Sequence, residues 1–239
     1  MSKIIIPKQA ITYIILQRTE YLTNNATYTN LGKLAKRLPV GQSILLKLQA
    51  SIFGGSVARA FEADIKRDYD NINGYLPANA TRLLDIGSGI GGIDIFLSRH
   101  YAHKIEVNLL DKTKVEETIY YGFEDSTPFY NSLEIAKDTL LASGVPTEHI
   151  ILHDADIPTN CFGPNKYDLI TSFISWGFHY PVSTYIEPVK KSLTDNGVLI
   201  IDVRKESGGL EEIKKHFADV QIIFEEGKLM RLRASEVSA

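Results

Sequence analysis

The segment TRLLDIGSGIGGIDIFLSRHY (Thr81–Tyr101) sets one carboxylate, Asp85, just ahead of a run of glycines. Gly87, Gly89 and Gly92 fit G-x-G-x-x-G, the spacing that seats a dinucleotide pyrophosphate at a helix N-terminus. Gly87, Gly89 and Gly91 equally fit G-x-G-x-G behind the acid. In both patterns the glycines let backbone pass close beneath a ligand. Asp85 separates them. A carboxylate beside a pyrophosphate in a partly desolvated cleft is repulsive, whereas beside an ammonium or a sulfonium it is attractive.

Two more acids stand where strands should end. Asp111 closes KIEVNLLD, at about the distance where an acid accepts hydrogen bonds from ribose hydroxyls, for NAD and any adenosine ligand alike. Asp154, in LHDADIP, is placed to accept from an adenine amino group, with the Ala155 N–H nearby. Taken singly, each acid reads equally well as an ordinary turn or loop residue.

The stretch SFISWGFHYP gathers Ser175, the single tryptophan Trp176, Phe178, His179 and Tyr180. His179 titrates near neutrality and so suits a general base for a hydroxyl; a histidine bonded to a backbone carbonyl is the competing reading. His153 is the second candidate base, better suited to structure. Trp176 and Phe178 are expected to wall a ligand pocket. In IIDVRK, Arg204 would meet an anionic substrate group or form a surface ion pair, the commoner fate of such a residue. The segment KTKVEETIYYGFEDSTPFYNSLEIAKDTL is longer than a crossover needs. Its Tyr120, Tyr121, Phe123, Phe129, Tyr130 and Asn131 read as a lid over an acceptor pocket, in preference to a surface excursion.

The elements that must position these residues alternate. Strands are expected at 82–86, 104–110, 149–153, 167–173, 197–203, 220–224 and 228–234, and helices near 91–101, 131–143, 183–193 and 208–217. That alternation gives an α/β fold with a mostly parallel sheet. The last two strands, joined only by EEGK, must form an antiparallel hairpin. Residues 8–75 are helical in pattern, punctuated by Pro39 and by Gly54–Gly55. The division expected is a helical cap over 1–75 and a Rossmann-like domain over 76–239.

LLDIGSGIGG, LLD, HDAD and YDLITSFISW occur in that order, each at a strand end, with a terminal hairpin behind them. In this the chain resembles the class I S-adenosylmethionine-dependent methyltransferases over roughly residues 65–239. The resemblance implies a seven-stranded sheet with an antiparallel last strand and S-adenosyl-L-methionine as cofactor. It implies Asp85, Gly87, Gly89 and Gly91 around the methionyl part, Asp111 with Lys112 at the ribose, Asp154 with Ala155 at the adenine, and Ser172 in the same shell. YYGFEDSTPFYNSL and SWGFHYPVSTYIEPV are loosely similar to small-molecule and sugar O-methyltransferase-like proteins. An Asn/Asp-Pro-Pro-aromatic motif, carried after the fourth strand by many enzymes that methylate planar nitrogens, is not there. An N- or macromolecule methyltransferase, an NAD(P)-dependent oxidoreductase and an inactive cofactor-binding scaffold stand as alternatives.

With 239 residues and a net charge of -3, the chain gives no global signal for nucleic-acid binding. A small-molecule substrate is the expected partner. Cys161 stands alone and no Cys/His cluster has metal spacing, so a reducing cytoplasm and no resident metal are expected, with a weakly held divalent ion near Asp154 and Asp202 left open. Pro7, Lys8, Gln9 and Thr12 interrupt the apolar N-terminus before it reaches the length of a membrane span. Residues 1–60 are left to cap the site, to form a homodimer interface, or to do both.

Overall fold

The computed structural model describes residues 3–18, 21, 39–115, 130–157 and 160–236. Two helices lead: α1 (Lys8–Gln17) and the long α2 (Pro39–Ile72). Pro39 opens α2, where its missing N–H costs nothing. The expected break at Gly54–Gly55 does not occur, and the helix runs through both glycines. The reason lies in packing. Ile11 of α1 packs beside Gly54, where a β-carbon would lie at an ordinary contact of 3.7 Å, and the core shared by α1 and α2 holds the long helix continuous.

The alternating part follows as β1 (Arg82–Ile86), α3 (Gly92–His100), β2 (Glu106–Asp111), the two-residue strands β3 (Lys114–Val115) and β4 (Tyr130–Asn131), α4 (Leu133–Ala142), β5 (Ile150–Asp154), β6 (Tyr167–Ser172), β7 (Ser175–Tyr180), α5 (Ile186–Ser192), β8 (Leu193–Arg204), α6 (Gly209–His216), β9 (Asp219–Glu226) and β10 (Leu229–Ser235). Seven strands form one sheet in the order β5-β2-β1-β6-β8-β10-β9. β10 pairs antiparallel with both β8 and β9, while the other pairings are parallel. The reversed final strand is thus present.

Both faces are covered, which is why the central strands read as continuous apolar runs. On one face Ile11, Ile14 and Ile15 of α1 and Phe61, Ile65 and Tyr69 of α2 share a core with Ile95 and Leu97 of α3. The N-terminal helices therefore pack into the sheet's own core. On the other face Trp176, Val189, Ile213 and Phe217 pack against Leu199 and Ile201 of β8.

Register brings the chemistry together at one edge. Asp85 stands opposite Thr171 of β6, and Asp111 opposite Asp154 of β5. The segment SWGFHY, expected as a loop, is the extended strand β7, which runs beside β8 outside the seven-stranded sheet. A β-carbon at Gly177 would lie 2.8 Å from the Asp202 carbonyl oxygen, so only glycine permits this approach. The long insertion departs and returns through the antiparallel pairs Lys114↔Asn131 and Val115↔Tyr130. Among the described residues, no helix is long and apolar enough to cross a membrane.

Candidate active site

β1 carries Asp85 one residue before its end, and the chain then turns through Gly87, Gly89 and Gly91, all at positive φ, before α3 begins. At Gly87 (φ +77) a β-carbon would also collide with the Ser175 hydroxyl. The turn is thus closed from one side by β7. From the other side Gln17, at the end of α1, places its Oε1 3.3 Å from where a β-carbon on Gly89 would lie.

Three carboxyls surround this turn. Asp85 is buried and accepts a 2.8 Å hydrogen bond from Thr171 Oγ1. Asp94, in the first turn of α3, is fully buried and engages Asp85. Asp111 accepts from Gly89 N–H at 2.8 Å and from its neighbour Lys112 N–H at 2.7 Å. Burial raises the pKa of all three. Asp85 is pushed up by desolvation with the Asp111 charge adding to it, and Asp94 by desolvation and then the Asp85 charge. Asp111 rises to about 6, through desolvation opposed by its two backbone donors.

This answers the spacing question. A pyrophosphate needs free N–H groups and positive potential. Here the Gly89 N–H is already given to Asp111, and the field beneath the turn comes from acids. The site suits a cation with hydroxyl donors, which is the cofactor end expected from Asp85 and Asp111. The residues present fit S-adenosylmethionine.

The remaining sequence candidates divide. Asp154 lies across from Asp111 in register and accepts from Asp156 N–H at 2.9 Å. The Ala155 N–H is not free for an adenine: it donates to the Asp111 carbonyl at 2.9 Å, a backbone bond that continues the strand pairing. Lys112, next to Asp111, pairs with Asp156 at 3.0 Å. Ser172 is fully buried, and its hydroxyl donates to the Ile86 carbonyl at 2.8 Å, so it ties β6 to β1 instead of lining a cleft. Trp176 is likewise a correction. It is fully buried, its Nε1 donates to the Val182 carbonyl at 3.0 Å, and its ring belongs to the second core.

His179 on β7 is exposed, and the atoms crowded around it, then the Arg204 charge, lower its pKa. The Arg204 guanidinium lies 4.9 Å over the Phe178 ring, and its buried Nε has no hydrogen-bond partner among the described residues. Arg204 makes no ion pair among them either, unlike the surface pairing first expected. His153 bonds Asn108 Oδ1 through Nε2 at 2.9 Å, the structural role expected of it. Tyr120, Tyr121 and Phe129 lie outside the described residues, and Tyr130 opens β4. No group of three metal-ligating side chains occurs among the described residues, and Asp202 is bound to Arg231 at 2.7 Å.

Sequence reasoning missed Thr171, Asp94 and Gln17. Thr171 precedes Ser172 in the same strand, and register makes it the partner of Asp85. Asp94 reads as an ordinary helix first-turn acid. Gln17 lies too far along the chain for any spacing to connect it with the glycines.

No protein-family model matches this sequence, and no curated protein matches it. Solved structures do. An O-methyltransferase-like protein from Nostoc punctiforme aligns at a TM-score of 0.52 with 14% identity, covering 76% of this chain and 58% of that one. A SAM-dependent methyltransferase from Aquifex aeolicus aligns at 0.50 with 16% identity, covering 74% of this chain and 98% of that one. The chain spans a little over half the length of the Nostoc protein. At such identities the likeness is one of fold. The fold is that of the class I S-adenosylmethionine-dependent methyltransferases.

Proposed function

We propose that this protein binds S-adenosylmethionine and catalyses methyl transfer to a hydroxyl of a small molecule, of the kind offered by a sugar or glycan precursor. The observation that carries the cofactor assignment is the trio Asp85, Asp94 and Asp111 around a glycine turn whose Gly89 N–H is already taken. The fold shared with methyltransferases supports it. The cofactor supplies a methyl group already activated on a sulfonium, so the chain needs no nucleophile of its own.

Its residues bind, orient and move a proton. Asp85 takes the cationic methionyl end. Asp111 keeps lone pairs on both oxygens for ribose hydroxyls, since each backbone donor uses only one. His179, held neutral at neutral pH, takes the hydroxyl proton on a ring nitrogen and leaves the acceptor oxygen free to bond carbon. Phe178 with Arg204 over it offers an apolar wall and one cation for an anionic acceptor group. The N-terminal helices act as a cap, with Gln17 over Gly89 as its contact with the turn.

The test is methyl-labelled S-adenosylmethionine offered with hydroxylated sugars and, in parallel, with amines and peptides. Label in a sugar ether, lost roughly 100-fold or more in His179→Gln, is the expected result. Label confined to amines or peptides would replace the hydroxyl reading.

A further inference from the structure

Asp94 is one of the three acids, but that account gives it no group of the cofactor to hold, and its surroundings are unusual. It is fully buried, and among the described residues no other residue donates a hydrogen bond to either of its carboxylate oxygens. The group it engages is Asp85, itself an acceptor of the Thr171 hydroxyl. Among the described residues the charges that act on the pair are carboxylates; Arg18, at the end of α1, lies over the Phe61 ring, 5.8 Å from its centroid. α4 presents Leu140 at Gly91, and α2 presents Phe61 and Ile65 at Gly92. Among the described residues the titratable groups facing the pair are the two carboxyls themselves and Asp111.

Two carboxylates side by side in a dry interior cannot both be ionised. A proton between them removes the conflict, because a neutral carboxyl has the O–H donor that Asp94 otherwise lacks. Thr171 stabilises charge on Asp85, whereas Asp94 is served only by its own backbone. We propose that Asp94 stays protonated and donates to Asp85, so that Asp85 alone carries the negative charge presented to the cofactor's cationic end. Asp94 is then a positioning residue. This inference rests on the cofactor reading above.

Calorimetric titration of the full chain with S-adenosylhomocysteine tests it. Asp94→Asn keeps a donor of the same size and should bind within about threefold of wild type, whereas Asp94→Ala, which leaves Asp85 without that donor, should lose about tenfold. Affinity in wild type and Asp94→Asn should rise together from pH 6 to pH 8 as Asp85 ionises. Wild type titrated in buffers of different ionisation enthalpy should release protons at pH 6 and none at pH 8. A folded Asp94→Asn that loses as much affinity as Asp94→Ala would overturn the proposal, as would proton release persisting at pH 8, since Asp94 would then be acting as an anion. Absence of any wild-type binding would instead remove the cofactor reading, and this inference with it.

Discussion

Asp202 accepts two hydrogen bonds from Arg231, at 2.7 Å from Nε and 3.0 Å from Nη2, and both side chains are fully buried. The same carboxylate accepts the Ile174 N–H at 3.2 Å, and Arg231 reaches on to Asp68 of α2 at 3.1 Å. One ion pair thus ties β8, β10 and the long helix to the loop that delivers Ser175 to the glycine turn.

Removing half of that pair should be costly. Arg231→Met leaves Asp202 charged and buried without its partner, for a loss of about 3–5 kcal/mol in urea denaturation. The double variant Arg231→Met/Asp202→Leu should recover part of the loss, leaving the Ile174 N–H without an acceptor. A single variant within 1 kcal/mol or so of wild type would mean the pair adds little to the fold.

Gly87 and Gly144 both adopt positive φ, but only Gly87 is crowded. Gly144→Ala should cost about 1–2 kcal/mol from backbone strain alone and leave ligand binding unchanged. Gly87→Ala adds a collision with Ser175, so it should cost more and weaken S-adenosylhomocysteine binding by about tenfold or more. Equal behaviour of the two variants would contradict the geometry of the turn.

Protonation should act in opposite senses at the acids and at His179. The raised folded pKa values of Asp85 and Asp111 mean stability that is present below the ordinary carboxylate range and lost as pH rises through the folded values, about 6 for Asp111. His179 has a lowered folded value, so its contribution is present above the ordinary histidine pKa and lost as pH falls. Denaturation of wild type, Asp111→Asn and His179→Gln between pH 4 and pH 8 separates the two. The wild-type minus Asp111→Asn difference should decline as pH rises, and the wild-type minus His179→Gln difference should grow.

The lone tryptophan gives a direct optical check. Trp176 is fully buried with its indole N–H bonded, so its emission should be blue-shifted and resist quenching by iodide. Ready quenching would place the ring on a pocket wall, as the sequence alone suggests.

What the sequence revealed depended on how local each signal was. Each of the seven strands of the main sheet contains a short apolar run, and the hairpin follows from a linker too short for a crossover. β7 escaped because glycine and mixed aromatics carry no alternation; its extended form comes from Gly177 lying against the Asp202 backbone. The break assigned to Gly54–Gly55 failed because tertiary contact with Ile11 outweighs helix propensity there. In the site, Asp85 and Asp111 could be read from motif position. Asp94 could not, because an acid in a helix's first turn is usually solvated, and only the approach of β1 makes it a buried partner.

The central claim is that the acidic glycine turn takes a cationic adenosyl ligand and not a pyrophosphate. Calorimetric titration of the purified chain with S-adenosylhomocysteine, with NAD in a parallel cell, tests it most directly. Micromolar binding of S-adenosylhomocysteine with no heat from NAD is the result predicted. Binding of NAD alone would contradict the account and leave the three acids without their assigned role.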